Sequence, residues 1–372
     1  MEGYLCNRSI DEVPQSHNCV QPYRLDNSAL AAPIYGVVTP TFVLTTVLTN
    51  CLVCLVLVKR PMRSPSNVLL TAIAVSDTLT GVCPLPCFVY FYTLGHSAND
   101  YVPHGWCFLL HCLIDYLPTI FHTTSVWLTV TLAAHRYVCL RCRPETVRRW
   151  CRMCSTVTAV VTVYVLALVS QLCRFFESDY VPVHVYGRHG EPGCWIETSP
   201  IIKRHLHLYF NAYYWFRVVF IHVLPCFILT AISAVLIQTM RTAQKRRKLS
   251  LRQNRKSDSR RLAESNSKTL MLVTVVGVFL VVEFPLAIFF ILVIVENTFD
   301  VIIVDTNKKR MTTLLVNLLI VFSYPINFFI YCGMSAQFRS TFCQLLRCRK
   351  EHTVKAVAAD ENKRRRQSTN IM

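Results

Sequence analysis

Seven long apolar stretches, each able to cross a hydrocarbon core of roughly 30 Å, recur along the 372 residues. They run from about Tyr35 to Val58, Val68 to Tyr92, Trp106 to Val138, Cys154 to Leu172, Leu206 to Met240, Leu270 to Val295 and Thr312 to Tyr331. Lipid offers the backbone no hydrogen bonds, so each crossing segment must pair its own amides. Runs this long without strict apolar/polar alternation do so as helices rather than barrel strands. The expected fold is therefore an all-α membrane protein, a seven-helix bundle. Residues 1–34 form a tail, 35–348 the bundle with a short amphipathic eighth helix, and 349–372 a second tail. A composition of 53% hydrophobic and 16% charged residues agrees with burial in lipid.

A formal charge of +18 on a soluble chain would suggest nucleic acid, but no basic module or RNA-binding signature accompanies it. Of the lysines and arginines, 28 lie in the segments 59–66, 138–152, 241–268 and 332–372, and only 9 lie in 1–34, 93–106, 173–206 and 296–310. By the positive-inside rule the amino terminus is expected outside and the carboxyl terminus in the cytosol, in a multi-pass plasma-membrane protein. The opening "MEGYLCNRSIDEVPQ" lacks the plan of a cleavable signal, so the first helix is expected to direct its own insertion. Asn7 in "NRS" is then a glycosylation acceptor.

The 18 cysteines divide by side. Cys6, Cys19, Cys107 and Cys194 face the oxidising compartment, while Cys139, Cys142, Cys151, Cys343 and Cys348 face the reducing one. Cys194, in the longest outer loop, is placed to bridge to the top of the third helix, where Cys107 is preferred and Cys112 stays open. The pairs Cys139/Cys142 and Cys151/Cys154 have a zinc-like spacing, but they sit at helix ends without a zinc-ribbon context and read first as reduced or lipidated thiols.

Several polar residues fall inside the apolar stretches: Asn50, Asp77, Arg136, Asn327 and Tyr331. Such groups are costly in lipid unless paired or wet, so they mark function or packing within a bundle. With these residues in place the chain resembles rhodopsin-like G-protein-coupled receptors over residues 35–348. His135-Arg136-Tyr137 is similar to that family's Asp-Arg-Tyr with the acid replaced, and Asn327-Phe328-Phe329-Ile330-Tyr331 to its Asn-Pro-x-x-Tyr with phenylalanine for proline. Pro225, Phe279, Pro285 and Phe338 match further marks of the fifth, sixth and eighth helices. Glu283 stands at the usual tryptophan of the sixth helix, the fourth helix lacks its tryptophan, and Ser233 replaces a fifth-helix tyrosine. "LPTIFHTTSVWLTVTLAAHRYVCL" and "VVEFPL" resemble the invertebrate sex-peptide and myoinhibitory-peptide receptors and, close to them, the FMRFamide-type receptors.

The resemblance implies a receptor for an extracellular, amidated neuropeptide that signals to a heterotrimeric G protein of the Gi/o class. Arrestin, receptor kinases and membrane lipid are further partners. Arg136 would be the coupling residue, weakly locked because His135 is no acid and the nearest sixth-helix acid, Glu264, is one residue out of register. Asp77, Ser125, Ser323 and Asn327 match a sodium site, whose hard cation wants oxygen ligands. Matching by helix turn puts Asp115, Thr119, His122, Arg217, Glu283, Leu286, Phe290 and Asn317 around a central cavity. Arg217 and Glu283 are expected to form an ion pair, with Glu283 or Asn317 receiving an amidated peptide end. Tyr213, Tyr214 and Trp195 are expected aromatic contacts. On the inner side, 241–268 reads as a flexible basic loop apart from its helical ends, with Arg246, Arg247 and Ser250 resembling a kinase target. Residues 335–348 read as an interfacial helix with Cys343 and Cys348 open to palmitate.

Rival classes are weaker. No membrane-embedded metal cluster, nucleophile motif or inverted repeat is legible, which disfavours an enzyme or a transporter. The seventh helix has no lysine for a Schiff base. A biogenic-amine receptor needs a third-helix acid where this chain has Pro118, with Asp115 nearly a turn higher.

Overall fold

In the computed structural model of the chain, residues 23–25, 29–96, 101–183, 192–252, 256–299 and 301–346 are described. Asn7, Cys348 and the tail 349–372 lie outside them, as do the side chains of Arg246, Arg247, Ser250 and Glu264. Seven long helices follow in order: α1 (Ala31–Leu57), α2 (Pro65–Thr93), α3 (104–141), α4 (Met153–Phe176), α5 (206–252), α6 (Lys256–Phe299) and α7 (Asn307–Met334). A short helix, Pro144–Trp150, joins α3 to α4, and α8 covers 336–346.

Six of the seven are long and apolar enough to cross a membrane by length and composition. The seventh is α3, which carries His111, Asp115, His122, His135 and Arg136. It is also the helix against which α2, α4 and α5 pack, so these polar groups face protein rather than lipid. By contrast, α4 turns Val157, Val161, Val165 and Leu168 outward, leaving Ala167 as its buried apolar residue. The main core joins Val53 and Val56 of α1, Leu69 and Ile73 of α2, Leu128 and Leu132 of α3, Leu229 of α5 and Val276 of α6.

Three prolines shape the bundle's upper half. A proline ring clashes with the carbonyl four residues back and leaves it without an amide partner. For Pro40, Pro118 and Pro225 those carbonyls belong to Gly36, Ile114 and Ile221, and each lies in a widened π-type turn: Ile34–Val38, Cys112–Tyr116 and Val218–Val223. A fourth wide turn, Val89–Thr93, ends α2 at the same end of the bundle. Each turn rotates the side chains above it relative to a regular helix. In α7 the helix is interrupted at Tyr324-Pro325, two residues before Asn327.

Buried polar ties hold the helices in register. Asn50 donates from Nδ2 to the Ala74 carbonyl at 3.3 Å and to Thr78 Oγ1 at 3.2 Å. The Tyr164 hydroxyl meets Ser76 Oγ at 2.7 Å, linking α4 to α2 without the tryptophan common in that helix. Tyr164→Phe is expected to cost about 1 kcal/mol, read as a fall of a few degrees in the melting temperature of purified protein. An unchanged melting temperature would show that this tie carries no stability.

The expected helical bundle carries one added element: β1 (Ser178–Val183) and β2 (Gly193–Thr198) form an antiparallel hairpin between α4 and α5. Val, Ile, Tyr and Trp in these segments favour a strand. Cys107–Cys194 is disulfide-bonded and anchors the hairpin to α3, while Cys112 keeps a free thiol. Tyr23 extends the cover, its amide bonding the Cys194 carbonyl at 2.8 Å and its carbonyl accepting from Val102 at 3.0 Å. One expectation is corrected: 241–268 is not a loop with helical ends only. Helix α5 continues to Arg252 and α6 starts at Lys256, because Lys, Arg, Gln and Glu are good helix formers once a helix is already nucleated in the bundle.

Candidate functional site

Below the hairpin lies a cavity of about 510 Å³ between α1, α2, α3, α5, α6 and α7. All four wide turns contribute to its wall: Tyr35, Tyr92, Ile114 with Asp115, and Ile221 with His222. Of the residues predicted to surround it, Asp115, Thr119, His122, Arg217, Leu286, Phe290 and Asn317 line it, and Tyr23 and Leu25 close it from the hairpin side. Glu283 is not on the wall but buried at 1% exposure. Tyr213, Tyr214 and Trp195 are also off the wall. The Tyr213 hydroxyl donates to Gln171 Oε1 at 2.7 Å, Tyr214 stacks on Phe210 at 5.9 Å, and Trp195 pairs with Val181 in the hairpin.

The expected Arg217–Glu283 ion pair is absent. Glu283 is held by two imidazoles instead, with His122 Nε2 3.0 Å from Oε1 and His222 Nδ1 3.0 Å from Oε2. Arg217 lies over the Phe290 ring at 5.1 Å, its Nε is buried without a hydrogen bond, and it has no acid partner among the described residues. The wide turn at Val218–Val223 separates Arg217 from His222, so that both reach α6 but the histidine, not the arginine, meets Glu283. Glu283 is therefore not free to receive a peptide end.

Asp115 is neutralised from the other side. Arg174, at the end of α4, approaches Asp115 Oδ2 at 2.5 Å and Glu177 Oε2 at 3.2 Å, and lies over the Tyr116 and Tyr213 rings. Below the cavity, Ser125 donates to Asp77 Oδ1 at 2.5 Å and Asn327 to Asp77 Oδ2 at 3.4 Å. Ser323 spends its hydroxyl proton on the Ile320 carbonyl at 2.7 Å.

At the opposite end, Arg136 is half-buried with an unpartnered Nε. Its neighbour His135 turns Nδ1 toward Ser66 Oγ at 3.4 Å and Cys139 Sγ at 3.9 Å. Tyr137 is exposed, whereas Tyr331 is buried against Phe338 of α8. Cys343 is exposed on α8.

Residues 37–349 match the family described as "Serpentine type 7TM GPCR chemoreceptor Srw". The chain belongs to this family. The receptor is 40% identical over 319 residues to the "Sex peptide receptor" of Drosophila melanogaster, covering 85% of this chain and 73% of that one. It is 35% identical over 349 residues to "Sex peptide receptor-related protein 2" of Caenorhabditis elegans, covering 90% and 77%. It is 24% identical over 323 residues to the "FMRFamide receptor" of Drosophila melanogaster, covering 86% and 54%. The receptor is thus a multi-pass membrane protein of a signalling family, not an enzyme.

Sequence reasoning missed Arg174, His222 and Tyr23 as parts of the receptor's site. His222 did carry a signal, as a lone polar residue within "VVFIHVLPC". Arg174 was one more basic residue at a helix end, and nothing in the sequence connects it to an acid 59 positions away.

Proposed function

We propose that this receptor binds a neuropeptide with an amidated end at the cavity under the hairpin and passes the signal to a heterotrimeric G protein at the Arg136 end. One observation carries this reading: the cavity's acid, Asp115, is already paired with Arg174, while its cation, Arg217, has no acid partner among the described residues. A site so charged offers donors to the carbonyl oxygens of a peptide and no free carboxylate to an ammonium group. Two relatives named for sex peptide and FMRFamide support the same class of ligand. On this reading the hairpin end is extracellular and the basic Arg136 end cytosolic. The G protein is of the Gi/o class, and arrestin and receptor kinases share that inner surface.

Asp77, the Ser125 hydroxyl and the Asn327 amide oxygen form a donor set that suits a sodium ion, an allosteric ligand that would offset the buried carboxylate. Asn7 would carry the glycan, and Cys343 and Cys348 the palmitate.

The test is a G-protein activation reporter in cells given amidated neuropeptides of tryptophan-amide and RF-amide types beside biogenic amines. A nanomolar response to a peptide is expected, and a response to an amine alone would overturn the reading. Arg217→Ala should weaken peptide potency at least tenfold, about 1.4 kcal/mol, with surface expression retained.

A further inference from the structure

Glu283 sits where two imidazoles converge, at the meeting of α3, α5 and α6, beneath the cavity wall that His122 and His222 help to form. We propose that His122, His222 and Glu283 form a binding site for a divalent transition metal of the zinc class, open to the cavity. The proposal stands on the three side chains and does not depend on the ligand being a peptide.

The donor atoms are already gathered. His122 Nε2 and His222 Nδ1 each lie 3.0 Å from one of the carboxylate oxygens, and one donor from each residue lies within 4.8 Å of the others. A tetrahedral zinc with bonds of about 2.0–2.1 Å sets its ligand atoms about 3.3 Å apart, so only small rotations are needed to close the shell. The rings stand 6.3 Å apart at 35°, a separation that lets both nitrogens face one ion.

His222 Nδ1 is hydrogen-bonded to Glu283 Oε2, and His122 Nε2 reaches the other carboxylate oxygen at the same distance, so the two rings meet the carboxylate from both sides. Two imidazoles and a carboxylate select zinc, copper or nickel over magnesium or calcium, whose hard ions take oxygen. Three protein ligands also make an open site. Both histidines line the cavity, so water or a donor atom of a bound ligand can fill the fourth position. An ion held there ties α3, α5 and α6 together and favours the arrangement of the bundle that keeps the three donors close.

The test uses the full-length receptor in lipid nanodiscs, stripped with a chelator and then titrated with zinc chloride. Zinc is expected to raise the melting temperature by several degrees, saturably, and EDTA to reverse the shift. X-ray absorption at the zinc edge should show nitrogen and oxygen neighbours at about 2.0–2.1 Å and no sulfur. His222→Asn and His122→Gln keep a donor near Glu283 but remove the ring lone pair, and each should weaken zinc at least tenfold. Three results would each overturn the proposal: no thermal shift in the unaltered receptor, full zinc affinity in either variant, or a sulfur shell at about 2.3 Å. The last would place the ion on the rival His135–Cys139–Cys151 group at the other end of the bundle. Should a variant fail to fold, the absorption spectrum of the unaltered receptor still decides.

Discussion

Arg136→Ala is expected to cut G-protein activation at least tenfold at every agonist concentration while leaving the receptor at the cell surface. The guanidinium lies at the end of α3 with a buried, unpartnered Nε, and among the described residues no acid is bonded to it. His135, which replaces the acid of the related motif, is turned away toward Ser66 and Cys139. Among the described residues the arginine is held by packing rather than by a countercharge, which leaves it open to an acceptor on the G protein. Loss of a charge-assisted contact of this kind amounts to about 1.5–3 kcal/mol, a fall of tenfold or more. Arg136→Lys should recover little, because an ammonium lacks the planar fork of donors. The check is a reporter assay normalised to surface antibody signal. Undiminished activation in the alanine variant would mean that the signal leaves the bundle by another residue. With no countercharge on it among the described residues, measurable activity without ligand is expected.

Cys107→Ser and Cys194→Ser are expected to give the second large effect, a severalfold loss of surface receptor and of ligand response. The bond closes a loop of 87 residues, and the chain-entropy account assigns such a closure about 4–5 kcal/mol. It also fixes β2, through which the Cys194 carbonyl binds the Tyr23 amide and the Cys194 amide binds Val102. Cutting the bond therefore loosens the hairpin and the segment that closes the cavity together. The double variant should be no worse than either single one, since all three lack the same bond. An additive loss would instead assign separate roles to the two thiols.

Much of the fold was legible because the membrane imposes a length and a hydrogen-bonding rule on each crossing. Predicted and observed helix bounds differ by a few residues in most spans, as for Cys154 to Leu172 against Met153–Phe176. The continuations of α5 to Arg252 and of α6 from Lys256 were missed because polarity was read as flexibility, although Lys, Arg and Gln are good helix formers. The hairpin was missed because its strands are short and the disulfide that orders them acts across the fold.

The site divides differently. From the sequence alone came the seven crossings and the set of polar residues that had to be buried among helices, since each follows from composition and spacing along one segment; the family resemblance came from motifs such as His135-Arg136-Tyr137. Which of those residues meet was decided only by the tertiary structure. Glu283 joins His122 and His222 instead of Arg217, and Asp115 joins Arg174, because partnership depends on how far each helix is turned about its axis. That rotation is altered at Cys112–Tyr116 and Val218–Val223 by wide turns before Pro118 and Pro225. A regular helix turns each residue by about 100°, so one extra residue in a turn re-aims every side chain beyond it, and no count of residues along the chain reveals where it has been absorbed.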